Sequence, residues 1–249
     1  HYMDGKLDRP SVPGKNLTLG IDIELQRLGE RLLQHKIGAI VAIEPATGEI
    51  LCMVSSPTFD PHLMIGRQRG KNHRMLQRDK RKPLLNRAIM GAYPPGSTFK
   101  TAQALTFLQE GIIHEDYPTF PCAHGFNYGS LHVGCHGHGS PLPLVPAIAT
   151  SCNSYFCWGL FRMFSDKKYG SPQNAITVWK DHMESQGFGY RLGPDLPGAQ
   201  RRLIPNAKFY DKAYRGSLNG LTVISIAIGQ GEILATPLQI ANLGATIAN

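Results

Sequence analysis

Tyr93-Pro94-Pro95-Gly96-Ser97-Thr98-Phe99-Lys100 is the stretch that decides how this 249-residue chain is read. Two prolines and a glycine stop the structure before them, and Ser97 then opens an apolar run at Phe99, Ala102, Leu105 and Leu108. That spacing predicts a central, buried helix closing at Glu110-Gly111, where glycine suits a helix C-terminus. On such a helix Ser97 and Lys100 share one face, with Cβ atoms about 5–6 Å apart. A seryl hydroxyl is a poor nucleophile until a base removes its proton, and burial lowers a lysine's pKa by disfavouring its charged form. The helix start adds backbone N–H groups and a positive dipole end for a developing oxyanion. Alone, the pattern is far more often an N-cap serine with a solvated lysine, so a second element has to raise it.

Ser151-Cys152-Asn153 is that element, 54 residues on and just before the apolar run Tyr155-Phe156-Cys157-Trp158-Gly159-Leu160. Together with Ser97-Thr98-Phe99-Lys100 it resembles the first two of three motifs shared by penicillin-binding proteins and serine β-lactamases. Flanking phrases sharpen the likeness: Arg9-Pro10-Ser11-Val12-Pro13-Gly14, Ile43-Glu44-Pro45-Ala46-Thr47-Gly48-Glu49-Ile50-Leu51, Asn86-Arg87-Ala88, and Ile228-Gly229-Gln230-Gly231 before Ala235-Thr236-Pro237-Leu238-Gln239. These look like class B transpeptidases, nearest the penicillin-binding protein 2 group. The resemblance implies a D,D-transpeptidase that cross-links peptidoglycan stem peptides and is acylated by β-lactams. Ser97 would be the nucleophile and Lys100 its proton acceptor. Ser151 would relay a proton to the leaving group, and Asn153 would donate its amide to the substrate backbone or to Lys100. A helix-cap pair is the bland reading of Ser151 and Asn153.

The resemblance further implies an extracytoplasmic, periplasmic domain of the inner membrane, with a membrane anchor and pedestal upstream and membrane-bound wall-synthesis proteins as partners. The third family motif, Lys-Thr-Gly or Lys-Ser-Gly, is absent; Lys100-Thr101-Ala102 is its nearest match. Residues 1–17, with prolines and glycines and no periodicity, are expected as an extended lead-in from an absent pedestal, and the missing motif makes 18–249 a transpeptidase domain truncated before the Lys-Thr-Gly strand, with impaired catalysis. A β-lactam sensor domain and a serine β-lactamase share the first two motifs and remain the rivals.

A hydrophobic content of 42% supports a sizeable core. Lys and Arg number 26 against 18 Asp and Glu, for a net charge of +8, but the excess is local. Residues 67–82 hold eight Lys or Arg and one Asp, which reads as a solvated basic loop and not as a nucleic-acid surface. No run approaches the roughly 18 apolar residues that a membrane span needs, and no signal peptide opens the chain.

Periodicity predicts an amphipathic helix over about 22–34, then an antiparallel hairpin from runs 37–44 and 49–55 joined by Pro45-Ala46-Thr47-Gly48. The residues through Lys82-Pro83 lack apolar periodicity and read as a surface excursion, and 112–140 read as irregular. A short helix before Ser151, helices from Asn153 to Phe164 and from Pro172 to Gln186, a loop over 187–198 and a last helix from Thr236-Pro237 to about Ala248 follow. Propensity makes 221–228 a strand, with a buried helix as the alternative. The fold class is α/β of the α+β type, helices on an antiparallel sheet. The resemblance adds a penicillin-binding transpeptidase or serine β-lactamase-like fold whose C-terminal strands are missing.

Cys122, Cys135, His138 and Cys152 form a separate constellation, spaced Cys-x12-Cys-x2-His-x13-Cys. Three thiolates and an imidazole make a closed structural zinc site, and some members of the resembled group carry such a zinc. His136 and His124 compete for the histidine position. A Cys122–Cys135 disulfide, or free thiols at Cys152, Cys157 and Cys52, are the alternatives.

Overall fold

Asp22 starts the first helix by accepting the Glu24 and Leu25 N–H groups, so α1 runs Ile23–Leu32. Gln26 on α1 then clips to the next strand, donating to Met53 O (3.1 Å) and accepting from Met53 N (2.9 Å). The computed structural model describes residue 4, residues 12–193 and residues 195–249. The lead-in expected over 1–17 lies mostly outside the described residues, and 12–17 carry neither helix nor strand.

Strands β1 (Gly38–Ile43) and β2 (Ile50–Ser56) pair antiparallel, Val41 facing Met53, with the register slipping between Ala42 and Ile43. The basic stretch departs from the loop expected for it. After a 3-10 turn at Pro61–Met64 it forms α2 (Arg69–Arg78). Arg, Lys, Gln, Met and Leu are good helix formers, and one buried side chain, Leu76, with Asn72 donating to Leu63 O, anchors the helix. The short α3 (Arg87–Met90) follows, its buried Arg87 guanidinium satisfied by the carbonyls of Arg81 (2.6 Å) and Lys82 (3.1 Å).

Helix α4 (Phe99–Gln109) is central, as its sequence predicts, but the buried face carries Phe99, Ala102, Gln103, Thr106 and Phe107, while Leu105 and Leu108 of the expected apolar run are exposed. The 112–140 segment is not wholly irregular: β3 (Gly125–Tyr128) and β4 (Leu131–Gly134) form a second antiparallel hairpin. The alternation of Phe126 and Tyr128 with Leu131 and Val133 across Gly129 is the signal that reveals it. Helices α5 (Leu144–Ala149), α6 (Asn153–Ser165) and α7 (Pro172–Ser185) match expectation. Gly159 lets α6 meet α4 closely, since a Cβ there would lie 2.6 Å from the Phe107 ring. Glu110 ties the end of α4 to α7. Burial works against its charge, but hydrogen bonds from His182, Tyr169 and Lys168 hold its carboxyl down at about 2.

An unexpected helix, α8 (Ala207–Tyr214), follows the 187–198 loop. The 221–228 run is not a strand: its second half is a 3-10 helix, Ile224–Ile228. Ile224, Ile226, Ala227 and Ile228 are all buried, so β-branched residues here record burial on every side and not a sheet. The chain closes with α9 (Pro237–Ala248), whose Thr236 and Gln239 form a capping box. The main core joins α4, α6, α7 and the 3-10 helix, while Ala88, Ile89 and Leu238 form a smaller one against β1. Among the described residues no helix is long and apolar enough to cross a membrane.

Candidate active site

The Ser97 turn is built from outside as much as by its own sequence. Gly96–Thr98 form a 3-10 turn that runs into α4, with Thr98 Oγ1 donating to Pro95 O. Two straps hold it. Tyr93 and Ala235 exchange both backbone hydrogen bonds (3.0 and 2.8 Å), and Gly96 N donates to Gly229 O at 2.9 Å. Gly229 has φ +69°, and a Cβ on it would lie 2.2 Å from Gly96 O, so only glycine serves at this crossing. Ser97 is left exposed at the mouth of the turn.

Lys100, three residues on, is buried and only 2% exposed. Its amine donates to Ser151 O (2.7 Å), Ser151 Oγ (2.9 Å) and Asn153 Oδ1 (2.6 Å). Burial pushes this amine below the ordinary lysine value and outweighs the opposite pull of the Cys135, Cys152 and Cys157 thiols. The structure thus brings three of the four residues, Lys100, Ser151 and Asn153, into one hydrogen-bonded cluster. Among the described residues none of the Lys100 bonds goes to Ser97 Oγ, and Ser97 lies three residues before Lys100 in the 3-10 turn that leads into α4.

Ser151 reaches Lys100 through an uncommon backbone state. Helix α5 ends in a Schellman motif, with Ser151 N bonded to Ile148 O and Cys152 N to Ala147 O, which puts Ser151 at φ +52°. A non-glycine residue in that region costs on the order of 1 kcal/mol. The outcome is a sharp turn that aims both the Ser151 carbonyl and hydroxyl at one amine. Asn153 differs from expectation: it accepts from Lys100 instead of donating to it, and its Nδ2 donates to Gly134 O on β4 (2.8 Å). The second hydrogen on Nδ2 is left for another acceptor. Gly134 and its hairpin are functional neighbours that the motif alone does not disclose.

Behind this junction, Cys122, Cys135, His138 and Cys152 come together, with their donor atoms all within 4.8 Å of one another. His138 is the histidine in the group; His124 and His136 are not. His138 Nδ1 is bonded to Gly139 O (2.6 Å), which turns Nε2 toward Cys135 Sγ at 3.4 Å. All five cysteines are free, so the alternative Cys122–Cys135 disulfide is not formed. Burial opposes a Cys135 thiolate, but hydrogen bonds from His138 and from the Asn153 and Ser154 N–H groups bring it down to about 7. Burial pushes Cys152 up to about 12. Cys152 lies between Ser151 and Asn153, so the cluster and the Lys100 cradle share backbone.

Helical layers around a Ser-x-x-Lys turn with an exposed serine and a buried lysine, faced by a Ser-x-Asn junction, define a fold of the penicillin-recognising class. The family described as "Penicillin binding protein transpeptidase domain" matches residues 38–249, and the chain belongs to that family. The peptidoglycan D,D-transpeptidase MrdA of Acinetobacter baumannii is 36% identical over 242 residues, covering 95% of this chain and 34% of that protein. Pseudomonas aeruginosa PBP2, solved in complex with WCK 5153, superposes with a TM-score of 0.79 at 31% identity, over 96% of this chain and 52% of that one. Helicobacter pylori PBP2, solved in complex with MreC, gives a TM-score of 0.80 at 29% identity, over 92% of this chain and 41% of that one. The chain spans about a third of the length of the curated relatives it matches.

Ser151→Gly separates geometry from chemistry at this junction. Glycine relieves the left-handed backbone by roughly 0.4–1 kcal/mol, but deleting the hydroxyl takes one acceptor from the buried Lys100 amine at a cost of roughly 1–3 kcal/mol. The melting temperature is therefore expected to fall by only a few degrees, whereas penicillin acylation falls by roughly 100-fold, the low end for loss of a proton-transfer group. A large drop in melting temperature, or unchanged acylation, contradicts this reading of Ser151.

Proposed function

We propose that this chain is the acylating domain of a peptidoglycan D,D-transpeptidase that cross-links stem peptides in the cell wall. The observation that carries the reading is the cradle in which a buried Lys100 amine is held by Ser151 and Asn153 one helical turn from an exposed Ser97. As an ammonium, Lys100 donates to all three acceptors. As a neutral amine it donates to Ser151 O and Asn153 Oδ1 and accepts the Ser151 O–H. Both protonation states are thus fully hydrogen-bonded, which suits a base that must gain and lose a proton.

In this reading the Ser151 hydroxyl turns away from the amine, neutral Lys100 takes the Ser97 proton on the lone pair so freed, and Ser97 Oγ attacks the penultimate D-alanine carbonyl of a stem peptide. The backbone N–H groups at the start of α4 steady the oxyanion. The proton then passes from Lys100 through Ser151 to the departing D-alanine amine. Asn153 offers its second amide hydrogen to the bound peptide. An amine of a neighbouring stem peptide resolves the acyl-enzyme, and the ring carbonyl of a β-lactam takes the substrate carbonyl's place. The names of the relatives, and the MreC complex of the Helicobacter protein, support a periplasmic setting at the inner membrane with membrane-associated wall-synthesis proteins as partners.

We further propose a structural zinc ion on Cys122, Cys135, His138 and Cys152. A tetrahedral ion with Zn–S near 2.3 Å sets ligand atoms about 3.5–4 Å apart, and a donor set within 4.8 Å with His138 oriented by Gly139 fits that demand. Its contribution would be positional, pinning the 112–140 segment to the backbone that carries Ser151 and Asn153.

Mass spectrometry after penicillin treatment is expected to map one penicilloyl adduct to Ser97, absent from Ser97→Ala; a label on another residue, or none, overturns the assignment. Elemental analysis is expected to give about one zinc per chain. Chelation or Cys152→Ser should then lower the melting temperature by on the order of 5–10 °C, because a structural metal's binding energy is folding energy. Metal-free protein of unchanged stability argues against the ion.

A further inference from the structure

Between Arg67 and Lys82 the chain collects eight of its 26 Lys and Arg residues and one of its 18 Asp and Glu residues. All eight cations are exposed. Helix α2 orders three of them, Lys71, Arg74 and Arg78, at i, i+3 and i+7 on one face. That face, with Arg81 beyond the helix, rims a cavity of about 760 Å³ walled partly by Phe59, Leu63 and Leu76. Asp79 is the one carboxylate lining it, and Asp79 is already engaged by Arg81 through both oxygens (3.1 and 2.7 Å). Among the described residues no carboxylate lies within ion-pair distance of Lys71, Arg74 or Arg78.

The helix itself is electrostatically ill-favoured. Its N-cap, Gln68, makes no side-chain cap bond, its first turn has no acidic residue, and Arg69 and Lys71 stand against the positive end of the helix dipole. Like charges at i, i+3 and i, i+4 add repulsion. An anionic occupant along the Lys71, Arg74 and Arg78 face relieves the repulsion among those cations.

The shape of the charge says what kind of anion. From Lys71 to Arg78 the cations run about 10 Å along the helix, and Arg81 extends the row, which is too long for one phosphate and suited to an extended strand bearing several acidic groups. Guanidinium pairs bidentately with carboxylate. A bilayer fits poorly, because membrane-surface helices present a wide apolar face, whereas Leu76 of α2 is turned inward and Met75 is its one exposed large apolar side chain. The reaction proposed above brings a suitable strand, a polymer whose stem peptides end in free carboxylates. We infer that the basic groove along α2 is an exosite that holds carboxylate-bearing stem peptides of the wall polymer, separate from the Ser97 cleft. This rests on the transpeptidase reading. Arg87, which opens α3 and binds the carbonyls of Arg81 and Lys82, fixes the end of the groove to the segment leading into the Ser97 turn.

Cosedimentation with purified peptidoglycan sacculi tests the inference, with Lys71→Glu/Arg74→Glu/Arg78→Glu as the variant and the corresponding Gln triple as a milder control. All three side chains are exposed, so melting temperatures should match the wild type. The expected result is salt-sensitive binding that weakens roughly tenfold in the Glu triple and less in the Gln triple. Sacculi whose carboxylates have been chemically amidated should bind the wild type as poorly as untreated sacculi bind the Glu triple. Wild-type binding by the Glu triple overturns the exosite. So does a loss confined to anionic phospholipid vesicles or polyphosphate, which would assign the groove to phosphate, and so does undiminished binding to amidated sacculi. Labelling by a fluorescent penicillin, run on the same samples, reports Ser97 independently: groove-dependent sacculus binding without labelling upholds the exosite and sinks the acylation reading.

Discussion

An amine with almost no access to water has to be met by acceptors, and at Lys100 that requirement fixes where three segments of chain must lie. Burying α4 takes Lys100 into the core with Phe99 and Phe107. The ammonium then costs several kcal/mol unless it is hydrogen-bonded. The acceptors come from the α5–α6 junction, 51 and 53 residues away in sequence. The packing of α6 on α4, allowed by Gly159, and the left-handed turn at Ser151 are both consequences of bringing those acceptors within reach. The same burial makes the amine easier to deprotonate, so one packing decision supplies stability and reactivity together.

The junction is rigid because it is held from behind. Asn153 is fixed by Lys100 on one side and by Gly134 O and Cys135 Sγ on the other. Cys152, buried between the two catalytic candidates, faces Cys122, Cys135 and His138. A segment rich in glycine and histidine, costly to order at roughly 1–2 kcal/mol per residue, is thereby anchored where its position matters to the site. The Ser97 side is strapped by a different segment, through Gly229 and Ala235, so nucleophile and base are held by separate parts of the core.

Much of this was legible in the sequence where the signal was local. Thr236-Pro237 with Gln239, the Pro45–Gly48 turn and Ser171-Pro172 mark their elements because capping and turn chemistry act over a few residues. The two site motifs were legible as residue types at fixed spacing. What sequence could not give was tertiary in origin. The 221–228 run reads as a strand because β-branched residues suit any fully buried site, and here no partner strand meets them. Helix α2 has no apolar stripe to reveal it, since Leu76 alone is buried. The direction of the Asn153 amide depends on Gly134, a backbone carbonyl contributed by a hairpin that no motif announces.

The central claim is that Lys100 works as a neutral base because it is buried in this cradle, and the pH dependence of Ser97 acylation by a β-lactam measures it most directly. A base must be unprotonated to act, so the rate rises with pH through the Lys100 pKa. Burial lowers the amine's pKa, which puts the midpoint of that rise below the ordinary lysine value of about 10.4. The rising limb should vanish in Lys100→Ala. A midpoint at or above 10.4, or an unchanged profile without the amine, would contradict the claim.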